Sequence, residues 1–110
     1  MKKRIEGYIP RALEAIEKLN ISKNREVPKQ FNGYIASFGA SIRSAGLLAT
    51  TLFYSEKGGA EEDRQNIVKA IKYIIDDEIV HNNKVSKETR AKVEDAAVAL
   101  KLSVRTFKLV

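Results

Sequence analysis

The sequence predicts an all-α fold, a compact single-domain bundle of about five helices. Three observations carry that prediction. Apolar residues recur at helical spacing through most of the 110 residues. No two alternating segments are joined by hairpin chemistry, and there is no internal repeat or low-complexity linker. From Gln30 to Ser55 the only charged side chain is Arg43, in a chain otherwise dense in Lys, Arg, Asp and Glu. Such a run marks the centre of a core. The length fits one domain, residues 1–110, large enough to bury a core without covalent staples.

The elements follow in order. Ile5, Ile9, Ala12, Leu13, Ile16 and Leu19 give a first amphipathic helix. Pro10 sits inside that pattern and either occupies a first turn or kinks a longer helix. Asn20 to Lys29 reads as a polar, basic connection in which Glu26 alone offsets Lys23, Arg25 and Lys29, with Pro28 favouring a new start. Phe31, Tyr34, Ile35 and Phe38 form the next apolar face, which the spacing ends near Gly39. A further helix is expected from about Ser41 to Lys57, apolar nearly all round and therefore central, stopped by Gly58-Gly59. Glu61-Glu62-Asp63 opens another, where negative charge suits a helix N-terminus, and Ile67, Val68, Ile71, Ile74 and Ile75 give its buried stripe. Asp76-Asp77-Glu78 would sit poorly at a C-terminus, so continuation through Ile79-Val80 is expected. Ser86 caps the last helix, with Val93, Ala96, Ala97, Leu100, Val104 and Phe107 on one face to the end.

Charge and composition narrow the function. A net charge of +6 favours a polyanionic partner. The excess is uneven: residues 1–57 hold ten basic and five acidic side chains, and 58–110 hold ten and nine. Cysteine is absent, so disulfides and thiolate metal sites are excluded, which fits a reducing cytoplasm. The basic Met1-Lys-Lys-Arg4 is followed by Ile5-Glu6-Gly7-Tyr8, which interrupts any apolar signal region, and no run has membrane-spanning character. A soluble, cytoplasmic protein without a membrane partner is the expectation.

Several constellations invite chemistry. On the last helix Lys87, Arg90, Lys101, Arg105 and Lys108 share one flank, interrupted by Glu94. This is either a stripe that tracks phosphates or a solvated face. A second apolar line on the same helix, Val98, Leu102 and Leu109, offers partner contact, since the core face is already supplied. Arg43 could bind a phosphate near helix N-terminal amides, or could cap a helix end or pair with Glu56 or Glu61. Asp76, Asp77, Glu78 and His81 raise a metal or nuclease reading, but adjacent acidic residues on a helix point apart. No catalytic residue, metal or cofactor is implied. Gly33, Gly39 and Gly46 follow no strand and form no dinucleotide-type phosphate loop. Tyr8, Tyr34, Tyr54 and Tyr73 could stack on bases, but at helical spacing they read better as core residues with a polar tip.

The stretch Ile42-Arg43-Ser-Ala-Gly46-Leu47, leading through an apolar helix to Lys57 and Gly58-Gly59, resembles the small-subunit family of Cmr complexes, the type III-B CRISPR effectors. The specific part covers Phe31 to Gly59; Gly39-Ala40-Ser41 stands where many members carry a proline. The resemblance implies a non-catalytic effector subunit in antiviral defence. Its partners would be the repeated backbone subunit, neighbouring copies of itself, and guide and target RNA. The family's recurring Arg at this motif favours the phosphate role for Arg43. The expected RNA contacts are Arg43, Lys57, Lys23, Arg25 and Lys29, then Arg90, Lys101, Arg105 and Lys108. Two alternatives stay open: the small subunit of the related type III-A complex, which differs mainly in lacking this segment, and a small helical DNA-binding regulator. The latter should show a polar recognition helix, whereas the helix after Gly39 is strongly apolar.

Overall fold

The computed structural model describes residues 3–55 and 58–110. Among these, five helices and one very short strand pair run in the order α1 (Lys3–Lys18), β1 (Glu26–Val27), α2 (Lys29–Ala45), α3 (Leu47–Phe53), α4 (Glu62–Ile75), α5 (Lys87–Val104) and β2 (Lys108–Leu109). α1 packs mainly on α5 and α4, and α2 lies against α3, α4 and α5. The all-α, five-helix expectation holds.

α1 is continuous past Pro10, which lies on its exposed side, so the helix does not start near Ile9. Ile5, Ala12, Ala15 and Ile16 form its buried stripe. It ends in a Schellman arrangement: Asn20 is left-handed (φ 58°), its N–H reaches Glu17 O, and the N–H of Ile21 reaches Ile16 O at 3.0 Å. Asn24 and Arg25 then both take positive φ, and Lys23 and Glu26 exchange backbone hydrogen bonds in a two-residue turn. β1 leaves that turn and pairs in parallel with β2, Glu26 opposite Lys108 and Val27 opposite Leu109.

α2 buries Phe31, Ile35, Phe38 and Ile42, spaced 4, 3 and 4 residues apart on one face. The two phenylalanines are wholly buried, worth about 1.5–3 kcal/mol each in transfer free energy. Phe38 also meets Tyr54 edge-to-face at 5.2 Å. The helix does not end near Gly39, as the spacing predicted, but continues to Ala45. Gly46 makes the break, at φ 91°, ψ 161°, a region that residues with a Cβ avoid.

The apolar run beyond it is not the central helix expected from Ser41 to Lys57. α3 has seven residues and stops at Phe53, well before Gly58-Gly59. It buries Leu47, Thr50 and Thr51 and leaves Leu48, Leu52 and Phe53 exposed. A hydroxyl contact of 2.7 Å between Ser41 and Thr50 closes the angle between α2 and α3.

α4 begins with Glu62 and Asp63 in its first turn, and Ile67, Val68, Ala70, Ile71 and Ile74 are buried. It ends at Ile75 rather than continuing through Val80. Asp76 is left-handed (φ 55°), and Arg11 from α1 closes the exposed end, its Nε donating to Ile74 O at 3.0 Å and Nη2 to Tyr73 O at 2.7 Å. That guanidinium offsets the acidic residues that made a C-terminus look unfavourable here. Ile79 is then folded back into the core from the loop.

Ser86 caps α5 as expected, Oγ accepting from Thr89 N–H at 3.0 Å. Val93, Ala96, Ala97, Leu100 and Val104 are buried, but the helix ends at Val104 and the chain becomes the β2 strand. The last helix therefore does not extend to the end.

Candidate nucleic-acid and partner interface

The β1–β2 pair places two basic segments side by side. Lys108 N–H donates to Arg25 O, Val110 N–H to Val27 O, and Lys29 N–H to Val110 O at 3.0 Å. The connection residues Lys23, Arg25 and Lys29 are thus gathered with Arg105 and Lys108 at one end of the molecule, and all five are exposed. Among the described residues the only ion pair there is a long one, Lys108 Nζ to Glu26 Oε2 at 3.9 Å. Lys23 shares a small pocket with Glu26, Glu62 and Asp63, which makes it the least available of the five. The strand pair carries no apolar alternation, and two residues are too few to leave a sequence signal.

α2 and α5 run antiparallel. The start of α2 meets the chain after α5, and residues around Gly46 share a pocket with Lys87 and Arg90 at the start of α5. Between them lies a groove of about 470 Å³. Ile35, Gly39 and Ile42 of α2 and Ala97 and Val98 of α5 give it an aliphatic lining. Arg43 stands on one wall and Lys101 on the other, with Glu94 and Asp95 nearby on α5. Both carboxylates have cations of their own: Glu94 takes Arg90 at 3.2 Å, and buried Asp95 takes Arg4 at 3.3 Å. Neither Arg43 nor Lys101 has an ion pair or side-chain hydrogen bond among the described residues.

The expected site residues are therefore divided. Arg43 is exposed, and its guanidinium lies back over Gly39, where an added Cβ would sit 3.9 Å from Nη1. It does not pair with Glu61, which accepts instead from Tyr34 O–H at 3.0 Å. Glu56 and Lys57 fall outside the described residues. Lys87, Arg90, Lys101 and Arg105 follow α5, whereas Lys108 has left the helix and joins the cluster by way of β2. Val98 and Leu102 keep one face of α5, Val98 at 44% exposure; Leu109 does not share it, because it pairs with Val27 in the strand. Val98 and Arg43, expected in different roles, line the same groove.

The acidic run does not converge. Asp77 Oδ1 accepts from Glu78 N–H and faces His81 Nε2 at 3.4 Å, while Glu78 reaches Lys72 at 3.0 Å. Among the described residues no three His, Cys, Asp or Glu side chains form a metal-holding group. Three tyrosine hydroxyls are held within the fold: Tyr54 with Tyr34 O, Tyr34 with Glu61, and Tyr73 with Glu14. Burial, then Glu61, raises the pKa of Tyr34; burial raises that of Tyr54, and the hydrogen bond to Glu14 that of Tyr73. These rings serve packing and are not offered for base stacking.

The sequence reading missed the exposed α3 face, Leu48, Leu52 and Phe53. Only the position of the break distinguishes that face from a core stripe, and the spacing put the break at Gly39 rather than at Gly46. No described helix is long and apolar enough to cross a membrane.

No curated protein and no solved structure matches the chain significantly. A family model described as CRISPR-associated protein (Cas_Cmr5) matches residues 5–105, spanning all five helices but not the β2 strand. The match covers nearly the whole chain and includes the Ile42-to-Leu47 motif and both walls of the α2–α5 groove, so the chain belongs to the Cas_Cmr5 family, the small-subunit family of Cmr (type III-B) CRISPR complexes.

Proposed function

We propose that this chain is a non-catalytic small subunit of a type III-B RNA-guided effector, acting in the cytoplasm in antiviral defence. It packs against the repeated backbone subunit and beside neighbouring copies of itself, and its basic side chains bind guide or target RNA. The family membership supports the assembly role. The observation that carries RNA binding is the gathering of Lys23, Arg25, Lys29, Arg105 and Lys108 at one end, from segments at opposite ends of the chain. Cations so placed neutralise phosphates and release counterions without reading base edges. Arg90, Lys101 and Lys87 extend positive charge along α5 from that end. Catalysis of phosphodiester cleavage would need carboxylates converging on a metal, and Asp77 and Glu78 turn to different partners.

The test is a fluorescence-anisotropy titration with labelled oligouridylate and a parallel copurification with the backbone subunit. Wild type is expected to bind RNA weakly and without sequence preference, and to join the reconstituted complex. The triple variant Lys23→Ala/Arg25→Ala/Lys29→Ala is expected to lose RNA affinity while still assembling. Failure of the wild type to join the complex would remove the functional reading. Metal-dependent RNA cleavage by the pure protein, abolished by Asp77→Asn, would replace it with a nuclease.

A further inference from the structure

Two of the surface cavities mix charges. The α2–α5 groove sets Arg43 and Lys101 beside Glu94 and Asp95, and the strand-end pocket sets Lys23 beside Glu26, Glu62 and Asp63. A third, of about 530 Å³, lies between the α2–α3 break and the start of α5. Its charged lining is Lys84, Lys87 and Arg90, with no carboxylate among the described residues. We propose that this pocket is a second phosphate-binding site, holding one part of a single-stranded RNA whose other part lies on the strand-end cations. The inference rests on the RNA-binding reading and adds to it a second anchor and a length for the bound strand.

The charges of this pocket are available. Lys84 and Lys87 are exposed, and neither side chain has an ion pair among the described residues. Arg90 gives its Nε to Glu94 at 3.2 Å. Glu88, the other carboxylate close by in sequence, is held by Lys92 at 3.5 Å. Like charges lining one cavity repel one another, and an entering phosphate relieves that repulsion. Position favours a run of phosphates over a single acidic protein segment. Lys87 and Arg90 share one flank of α5 with Lys101 and Arg105, and that flank leads to the strand end. The 18 residues of α5 span about 27 Å. A polyanion of that length meets cations at both ends of the helix, whereas one carboxylate meets them at one end only. Leu48, at 38% exposure, and Val85 complete the lining with aliphatic surface, on which a ribose packs without any reading of base edges.

The test uses Lys84→Glu/Lys87→Glu, which reverses two charges at exposed positions, with Lys84→Ala/Lys87→Ala as the milder pair should the first lose helical content by circular dichroism. Each is titrated with labelled oligouridylates of about 3 and about 15 nucleotides; at roughly 3.4 Å per stacked phosphate the longer reaches both ends of α5 and the shorter does not. Wild type is expected to bind the longer strand more tightly. The glutamate pair is expected to weaken binding of the longer strand about 10-fold and to make its salt slope shallower by about 1. Affinity for the shorter strand should stay within about 2-fold, because the strand end still holds it. A folded variant that binds the longer strand like wild type, with an unchanged slope, overturns the inference and leaves RNA binding at the strand end standing. Equal weakening at both lengths overturns it as well, since the cations then act as a diffuse field and not as a second anchor. A wild type that binds neither length overturns the RNA-binding reading, and the inference with it.

Discussion

Four guanidinium groups show how one residue type serves either the fold or its surface. Arg4 is paired with buried Asp95, Arg11 closes the C-terminus of α4, and Arg64 lies between the rings of Tyr34 and Phe53 at 4.9 and 5.3 Å. Arg43 has no such role among the described residues. Removing Arg11 leaves two helix-end carbonyls unpaired, so Arg11→Ala is expected to lower stability by about 1–3 kcal/mol. Arg43→Ala should change it by no more than about 0.5 kcal/mol. Urea denaturation checks both, and a large loss at Arg43 would make that residue a structural partner after all. The tyrosines give a pH test. Tyr34, Tyr54 and Tyr73 have pKa values raised above 10.0, so the folded state holds these protons more tightly than the unfolded chain. Their stability contribution is complete below pH 10 and is lost as pH rises through the folded values. Ultraviolet titration should show three phenols ionising late, together with alkaline unfolding. Glu14 runs the other way: its hydrogen bonds to Tyr73 and Lys18 lower its pKa, so its contribution is lost on acidification. Tyr73→Phe should weaken that acid dependence.

Among the elements, the sequence revealed those whose boundaries have local chemical causes. The Ser86 cap, the acidic first turn of α4 and the Phe31, Ile35 and Phe38 part of the α2 stripe are visible as residue types at fixed spacing, whereas the spacing assigns Ile42 to the next helix. The misreadings came from longer-range effects. The end of α4 depends on Arg11, which lies far away in the sequence, and the final strand depends on a partner segment near residue 26. The spacing places the α2–α3 break at Gly39 instead of Gly46, because either glycine can end a helix and only backbone geometry separates them. Alanine substitution measures that difference. Gly39→Ala adds a Cβ to helical backbone with ordinary clearance and should stabilise by about 0.5–1 kcal/mol. Gly46→Ala must adopt φ 91°, ψ 161° and should cost about 1–3 kcal/mol. Thermal melts of the two variants moving in the same direction would contradict the observed break. The same displacement of the break hid the exposed face of α3, because a run apolar on every side reads as core until its length is known.

At the scale of the whole molecule, the fold distributes a charge of +6 that composition gives only as a total. The acidic start of α4 is tied to α2 through Gln30 and Tyr34, whereas the cations of the strand end face outward with a single long ion pair among the described residues. The candidate site was therefore half legible: residue types and signs could be read, but the union of the connection with the C-terminal segment needed the parallel strand pair. That union makes a quantitative prediction. For single-stranded RNA, log affinity falls with log salt by about 0.7 for each phosphate neutralised. Replacing Lys23, Arg25 and Lys29 together removes up to three contacts, so the slope should become shallower by as much as about 2. The loss should be somewhat smaller in practice, because Lys23 already faces Glu26, Glu62 and Asp63. Adding Arg105→Ala and Lys108→Ala should flatten it further, since the strand pair makes these residues part of the same patch. Arg43→Ala, in the α2–α5 groove, should leave the slope almost unchanged. Binding isotherms between about 50 and 200 mM salt measure each slope. If Arg43→Ala flattens the slope while the strand-end variants leave it at the wild-type value, RNA follows the groove and the strand end is only a solvated surface.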